Sequence, residues 1–141
     1  MESQALVVDP KRSANMARIG PRDTRPELAV RRALHRMGYR FRLHRKDLPG
    51  RPDIVLPRLR TIILVHGCFW HRHPNCRFAY TPKSRTDFWF EKFLRNVARD
   101  REVRAELEGL GWTVQVIWEC ETRNPDDLIR RLREILPEPK A

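Results

Sequence analysis

The strongest constraint on the fold of this chain is a short run of metal-ligand side chains, HGCFWHRHPNC, at residues 66–76. The run holds two of the three cysteines and three of the five histidines. Three cysteines cannot all pair within one chain, and in a reducing compartment a Cys/His cluster indicates a metal more than disulfides. The run therefore predicts an irregular loop that a bound metal holds in place.

The spacing of these side chains predicts a structural zinc site. Cys68, His73 and Cys76 lie close together in the sequence. Cys120 follows the last predicted strand, where the chain can return to the same edge of the sheet. Three thiolates and one imidazole form a standard tetrahedral zinc set. His71 is the rival fourth ligand, and the simpler alternative is three buried, reduced cysteines without a metal.

The charge of the chain indicates a polyanionic partner. The 141 residues carry a net charge of +11, and 40% of them are hydrophobic, which suits one domain with a proper core. Nucleic acid is the first expectation and an anionic membrane surface the second. No stretch resembles a membrane span or a secretory signal, so we expect a cytoplasmic protein.

The chain divides into a basic N-terminal arm, residues 1–22, and a folded domain, residues 23–137. The arm carries Lys11, Arg12 and Arg22 and has little periodic apolar content. Two interpretations remain open, because the rest of the chain is also basic. The arm is either a solvated tail or a segment that contacts phosphates.

The hydrophobic pattern predicts a single α/β domain, with a small mixed central sheet flanked by helices. A capping box formed by Thr24 and Glu27 begins the first helix, and Gly38 ends it. The third strand is apolar on both faces, which is typical of a central strand. Strands are predicted at 39–43, 54–56, 61–65 and 112–118, and two further helices from Thr86 towards Leu107 and over 125–136.

One carboxylate, in the segment GRPD at 50–53, is a candidate metal ligand. Asp53 begins a strand and faces the hairpin whose other strand ends at His66. Mg²⁺ prefers oxygen ligands and keeps waters, so one carboxylate and a backbone carbonyl suffice. His66 and His71 are candidates for general base, general acid or phosphate contact. Most Pro-Asp pairs are turns, and a single histidine is more often a partly buried, hydrogen-bonded side chain.

Three aromatic side chains suit an apolar wedge that unstacks a base step and kinks a duplex. Phe69 and Trp70 lie between predicted metal ligands. Trp89 lies near the start of the long helix and falls away from its predicted buried face, which contains Phe90 and Phe93. The alternative is that Phe69 and Trp70 pack over the zinc loop.

Six segments of the chain match one known family: KRSANM (11–16), RDTRPE (22–27), LPGRPD (48–53), HGCFWH (66–71), SRTDFWFEKFLRNVARD (84–100) and GWTVQVIWEC (111–120). Together, and in this order, they resemble the very-short-patch repair (Vsr) DNA mismatch endonucleases. The resemblance implies a fold related to type II restriction endonucleases. It also implies a Mg²⁺-dependent nick 5′ to the T of a T·G mismatch, the product of 5-methylcytosine deamination.

The resemblance assigns roles to particular residues of this chain. The implied catalytic set is Asp53, His71, His66 and Glu27, with Mg²⁺ held by Asp53 and the backbone carbonyl of Val65. The implied zinc ligands are the four that the spacing favours, Cys68, His73, Cys76 and Cys120. The implied intercalating residues are Phe69, Trp70 and Trp89, with Met16 entering from the opposite groove.

The chain departs from the family pattern in two places. Val65 stands where the family often has Thr, and the spacing from His73 to Cys76 is one residue wider than in another member. The strand after Asp53 also lacks the E-x-K of restriction enzymes, so acid–base chemistry falls to histidine.

The expected partner is double-stranded DNA with a T·G mismatch, bound by a monomer. Mismatch-repair proteins are further candidate partners, and the nucleoid is the expected location. Two alternatives remain open. One is a non-catalytic zinc module that binds bent or mismatched DNA. The other is a nuclease of the same fold with a different DNA target.

Overall fold

A computed structural model describes residues 24–139 and shows the predicted order α, β, β, β, α, β, α. Short 3-10 helices, Pro57–Leu59 and Glu119–Thr122, follow the second and fourth strands. The predicted arm, with Lys11, Arg12, Met16 and Arg22, lies outside the described residues. The elements are α1 (Arg25–Met37), β1 (Arg42–Leu43), β2 (Ile54–Leu56), β3 (Thr61–His66), α2 (Thr86–Gly109), β4 (Thr113–Trp118) and α3 (Pro125–Ile135).

The four strands form one mixed sheet in the order β1-β2-β3-β4. β1, β2 and β3 pair antiparallel, whereas β4 pairs parallel to β3 after the crossover through α2. The prediction of a central third strand is confirmed, since β3 has a neighbour on each side and its residues are almost all buried. β1 is shorter than predicted, because only Arg42 and Leu43 pair with β2.

Alternating side chains of the sheet feed two hydrophobic clusters, one on each face. Ile63 and Ile117 pack with α1 and α3 on one face. Ile62 and Val114 pack with the end of α2 on the other. Successive residues of a strand point to opposite faces, and helices cover both faces of this sheet, so both faces of β3 are apolar. None of the helices within residues 24–139 combines the length and apolar character that crossing a bilayer requires.

The start of α1 confirms half of the predicted capping box. The Thr24 hydroxyl accepts a hydrogen bond from the Glu27 N–H at 3.3 Å. The Glu27 carboxylate bonds to Arg31 and His44 instead of returning to the backbone of Thr24, so the reciprocal half of the box was wrong. A buried carboxylate, 2% exposed, takes the partners that the interior offers it.

The inward face of α2 differs from the prediction. Phe93 is buried as expected, but Phe90 is 63% exposed and the prediction for it was wrong. The first half of α2 packs against the loop 67–85 and not against the sheet. The helix therefore turns Trp89, instead of its neighbour Phe90, towards the loop. The inward face consists of Trp89, Phe93, Asn96, Asp100, Val103 and Leu107.

Candidate functional site

The predicted catalytic residues converge where β3 ends and β2 begins. These two strands are antiparallel, with Ile54 opposite Ile63, so Asp53 lies beside the end of β3. The Asp53 Oδ2 accepts a hydrogen bond from the Val65 N–H at 2.9 Å. Asp53 and Val65, the predicted Mg²⁺ ligands, are therefore neighbours.

The surroundings of Asp53 favour a bound cation. Burial raises the pKa of its carboxyl to about 6, against the lowering effect of the Val65 N–H. The Glu27 charge raises the pKa further, and the charges of His44 and His71 lower it. A carboxylate that burial destabilises gains from a cation at the same place.

His71 forms a close pair with an acid that sequence reasoning missed. Its Nδ1 lies 2.7 Å from Oδ2 of Asp100, on the inward face of α2. The His71 ring stacks on the His66 ring, with centroids 4.0 Å apart. A carboxylate on one ring nitrogen fixes the tautomer and leaves the other nitrogen for acid–base work. The sequence offers two signals for Asp100, its spacing of seven residues from Phe93 and its place at the end of the family-like segment 84–100.

His66 has a different character from His71. It is buried against Trp118, with ring centroids 5.4 Å apart in an edge arrangement. Burial lowers the pKa of His66 to about 4, so its imidazole is neutral at neutral pH. With so low a pKa the imidazole is a weak base, so of its predicted roles the phosphate contact, made as a neutral hydrogen-bonding group, suits His66 best.

Glu27 lies in a second cluster with His44 and Asp53. Oε2 of Glu27 lies 2.7 Å from Nε2 of His44 and also accepts from the Arg31 guanidinium. His44 was missed because it directly follows the predicted first strand, in a segment to which no sequence pattern assigns a role. The β1–β2 pairing brings His44 to the site, where its backbone N–H donates to the backbone carbonyl of Asp53 at 3.2 Å.

We expect Glu27→Gln to destabilise the fold by about 3 kcal/mol, because the buried negative charge holds both Arg31 and His44. Urea unfolding followed by circular dichroism measures the change. The matched control is Glu108→Gln, whose half-exposed pair with Arg104 contributes about 0.5 kcal/mol or less. Equal effects of the two substitutions would contradict the buried-network interpretation.

The four predicted zinc ligands form one cluster. Their ligand atoms all lie within 4.8 Å of one another, and all three cysteines are free. The parallel register explains the long-range member, because His66 pairs with Trp118 and each strand then delivers a cysteine two residues later. His73 joins the cluster, whereas the rival ligand His71 points to Asp100.

The distances in this cluster suit a tetrahedral ion. Nδ1 of His73 lies 3.7 Å from Sγ of Cys68 and 3.4 Å from Sγ of Cys120. A nitrogen and a sulfur ligand of the same tetrahedral zinc lie about 3.5–3.6 Å apart, between these two distances. Burial raises the pKa of the Cys68 and Cys120 thiols. A metal would offset that cost by binding the thiolates directly.

The three predicted wedge aromatics lie together, beside the Cys/His cluster and the His71–Asp100 pair. Phe69 is central, and its ring centroid lies 5.0 Å from Trp70 and 5.6 Å from Trp89. Phe93 of α2 and the 49% exposed Tyr80 complete the group around Phe69. We call these five residues the aromatic cluster. Trp89, predicted to fall away from the helix's packed face, packs beside Phe93 with centroids 5.9 Å apart.

A buried carboxylate, a His–Asp pair and a Cys/His cluster at one end of a small mixed sheet describe an α/β protein with a candidate metal centre. The sequence model of the family described as DNA mismatch endonuclease Vsr matches residues 6–77. This chain belongs to the Vsr family.

Three proteins illustrate the similarity. Type II nicking enzyme V.XorIIP of Xanthomonas oryzae pv. oryzae is 54% identical over 86% of this chain and 88% of that protein. Type II nicking enzyme V.NmeAIP of Neisseria meningitidis is 43% identical over 92% of each. DNA mismatch endonuclease Vsr of Escherichia coli is 44% identical over 83% of this chain and 74% of that protein.

Proposed function

We propose that this chain is a DNA mismatch endonuclease that nicks one strand of a duplex by Mg²⁺-dependent hydrolysis. The family membership supports the nuclease activity. The observation that carries the proposal is the placement of Asp53, His66 and His71 at one strand end, next to the aromatic cluster. Residues 66–71 thus hold both the two histidines proposed for cutting a phosphodiester and two of the aromatic side chains proposed for opening a base stack.

The proposed target is the T·G mismatch, with the nick 5′ to the T. A mismatched pair is easier to unstack than a matched one, so an apolar wedge selects it energetically. Phe69, Trp70 and Trp89 form that wedge in this proposal. Met16, together with Lys11, Arg12 and Arg22, belongs to the arm that would contact the duplex from elsewhere.

The residues of the chain divide the chemistry between them. Asp53 and the Val65 carbonyl would hold Mg²⁺, whose charge would stabilise the phosphate while the P–O bond to water forms and the P–O bond to the leaving sugar oxygen breaks. His71, oriented by Asp100, would take the proton from the attacking water. His66 is neutral and stacked on His71, which suits a hydrogen bond to the phosphate. Glu27, which is bonded to Arg31 and His44, would keep His44 in place beside the carboxylate of Asp53.

Zinc would have a structural role in this scheme. Cys68, His73, Cys76 and Cys120 would close all four positions, which leaves no open position for a substrate. The ion would tie the loop that carries His71, Phe69 and Trp70 to the end of β4. A nick in one strand needs one active centre, so we propose that the chain acts as a monomer.

We expect Asp100→Asn to lower the nicking rate constant about a hundredfold while duplex affinity stays unchanged. The amide no longer holds His71 in the tautomer that frees its other nitrogen. Single-turnover kinetics and fluorescence anisotropy measure the two quantities separately. Glu102→Gln, an exposed change two residues further along α2, is the control. A rate loss matched by an equal loss of affinity would refute the role of the pair.

The decisive experiment compares a labelled duplex containing one T·G mismatch with its matched twin, in Mg²⁺ or in EDTA. A Mg²⁺-dependent nick 5′ to the mismatched T, absent from the twin, supports the proposal. Tighter binding to the mismatched duplex without cleavage would indicate the non-catalytic module. Equal cutting of both duplexes would keep the nuclease and reject the mismatch specificity.

A further inference from the structure

Arg72 lies in the loop of the proposed zinc site, between His71 and His73, and its half-buried side chain folds back onto that loop. Its guanidinium donates to four oxygens of the same loop. Nη1 donates to the Tyr80 carbonyl at 2.9 Å and to the Phe69 carbonyl at 3.4 Å. Nη2 donates to the Ala79 carbonyl at 2.8 Å and to the Thr81 hydroxyl at 3.3 Å.

The same guanidinium packs against the aromatic cluster. Its carbon atom lies 3.9 Å from the centroid of the Phe93 ring and 5.8 Å from that of Phe69. Phe93 belongs to α2, whereas Phe69 belongs to the loop. Arg72 therefore joins the outgoing part of the loop, its returning part at 79–81 and the helix through one side chain.

We propose that Arg72 is a positioning residue for mismatch selection, which holds the aromatic cluster in the conformation that enters the base stack. The inference rests on the proposed function and deepens it. A wedge that is already in place loses less binding free energy to the ordering of its own loop. The contacts of Arg72 would keep the large, partly exposed aromatic rings in that arrangement.

The geometry separates this role from a phosphate contact. An arginine that binds DNA phosphates offers its guanidinium to solvent, whereas both terminal nitrogens of Arg72 already donate to loop oxygens. A planar guanidinium both stacks on a ring and donates in several directions, and a lysine ammonium does neither as well. The conservative change Arg72→Lys thus keeps the charge and removes the geometry.

The test compares Arg72→Lys with Arg77→Lys, the same change in the same loop. Arg77 stacks on Phe78, which is not a member of the aromatic cluster. Three quantities are measured: the ratio of nicking rates on T·G and matched duplexes, the emission of 2-aminopurine beside the mismatch, and zinc content. Emission reports the opening of the base step independently of cleavage.

We expect Arg72→Lys to lower the T·G rate by up to about a hundredfold and to weaken the 2-aminopurine signal, with zinc content unchanged. Any residual rate on the matched duplex should change far less, and Arg77→Lys should resemble the wild type. If Arg72→Lys keeps the wild-type ratio and signal, the proposal is wrong. A uniform loss on both duplexes would also overturn it, because that pattern is purely structural.

A second variant decides the outcome if Arg72→Lys loses zinc or fails to fold. Phe93→Leu removes the ring beneath the guanidinium from α2 and leaves the zinc-bearing loop unaltered. It should lower the same ratio and the same signal, and unchanged values would overturn the proposal. If the wild type itself shows no preference for T·G, the proposed function fails first, and the two failures are thereby distinguished.

Discussion

Asp53→Asn should lower the Mg²⁺-dependent nicking rate by at least about a thousandfold, the equivalent of about 4 kcal/mol of transition-state stabilisation. The amide keeps the size of the side chain and still accepts the bond from the Val65 N–H. It loses the charge that would hold the metal. Single-turnover nicking of a T·G duplex measures the effect, and anisotropy should show that the duplex still binds.

The folded state of Asp53→Asn should be at least as stable as that of the wild type. Burial raises the pKa of Asp53, so its ionised form is less stable in the folded protein than in the unfolded chain. Its charge therefore destabilises the fold above its unfolded pKa, and removing the charge should not lower the melting temperature in EDTA. A variant that is inactive and less stable would indicate that Asp53 is a structural residue.

The matched control is Asp47→Asn, on the loop that precedes Asp53. Asp47 is exposed and pairs with Arg45 at 2.6 Å, and this partner lowers the pKa of its carboxyl. The same chemical change there should leave nicking unaltered. A comparable loss of activity from both substitutions would mean that the general charge of the surface, and not a metal ligand, controls the rate.

If the proposed zinc is bound, Cys68→Ser should lower the melting temperature by about 10–20 °C, since metal binding would be coupled to ordering of the loop. Cys68 is fully buried and is one of the four clustered candidate ligands. A serine hydroxyl binds zinc far less well than a thiolate does. Differential scanning calorimetry, with zinc content from atomic absorption, measures both consequences.

A chelator supplies the control within the same experiment. Prolonged treatment should lower the melting temperature of the wild type and leave that of Cys68→Ser unaltered, because the variant has already lost the ion. The two hydrophobic clusters on the sheet lie apart from the loop, so the domain should still unfold cooperatively. An equal chelator effect on both proteins would contradict the assigned ligand set.

The fold was predictable where local patterns coincide with packing. Alternating and continuous apolar runs predicted β3 as the central strand, and the cap at Asn124 with Pro125 predicted α3. The buried face of α2 was predicted less well because its partner is an irregular loop. Helical periodicity identifies a stripe, but it does not choose between Phe90 and Trp89 when no sheet lies beneath them.

The candidate site was predictable where residue type restricts the chemistry. Cysteines with a suitable spacing indicate a metal, and the one-residue extension between His73 and Cys76 still leaves both ligands in the cluster. His44 and Asp100 needed the strand register and the helix orientation. Arg72 left no trace in any pattern, because its acceptors are mainly backbone carbonyls, which every residue carries.

The inward face of α2 fixes the distance between two parts of the candidate site. Trp89 packs in the aromatic cluster and Asp100 holds His71, and about 16 Å of helix separates them. A continuous helix transmits distance and rotation rigidly, so in the proposed scheme α2 would hold the base step that is opened and the bond that is cut at a constant separation. One residue inserted between Trp89 and Asp100 would turn one end of the helix by about 100° and should displace the nick relative to the mismatch.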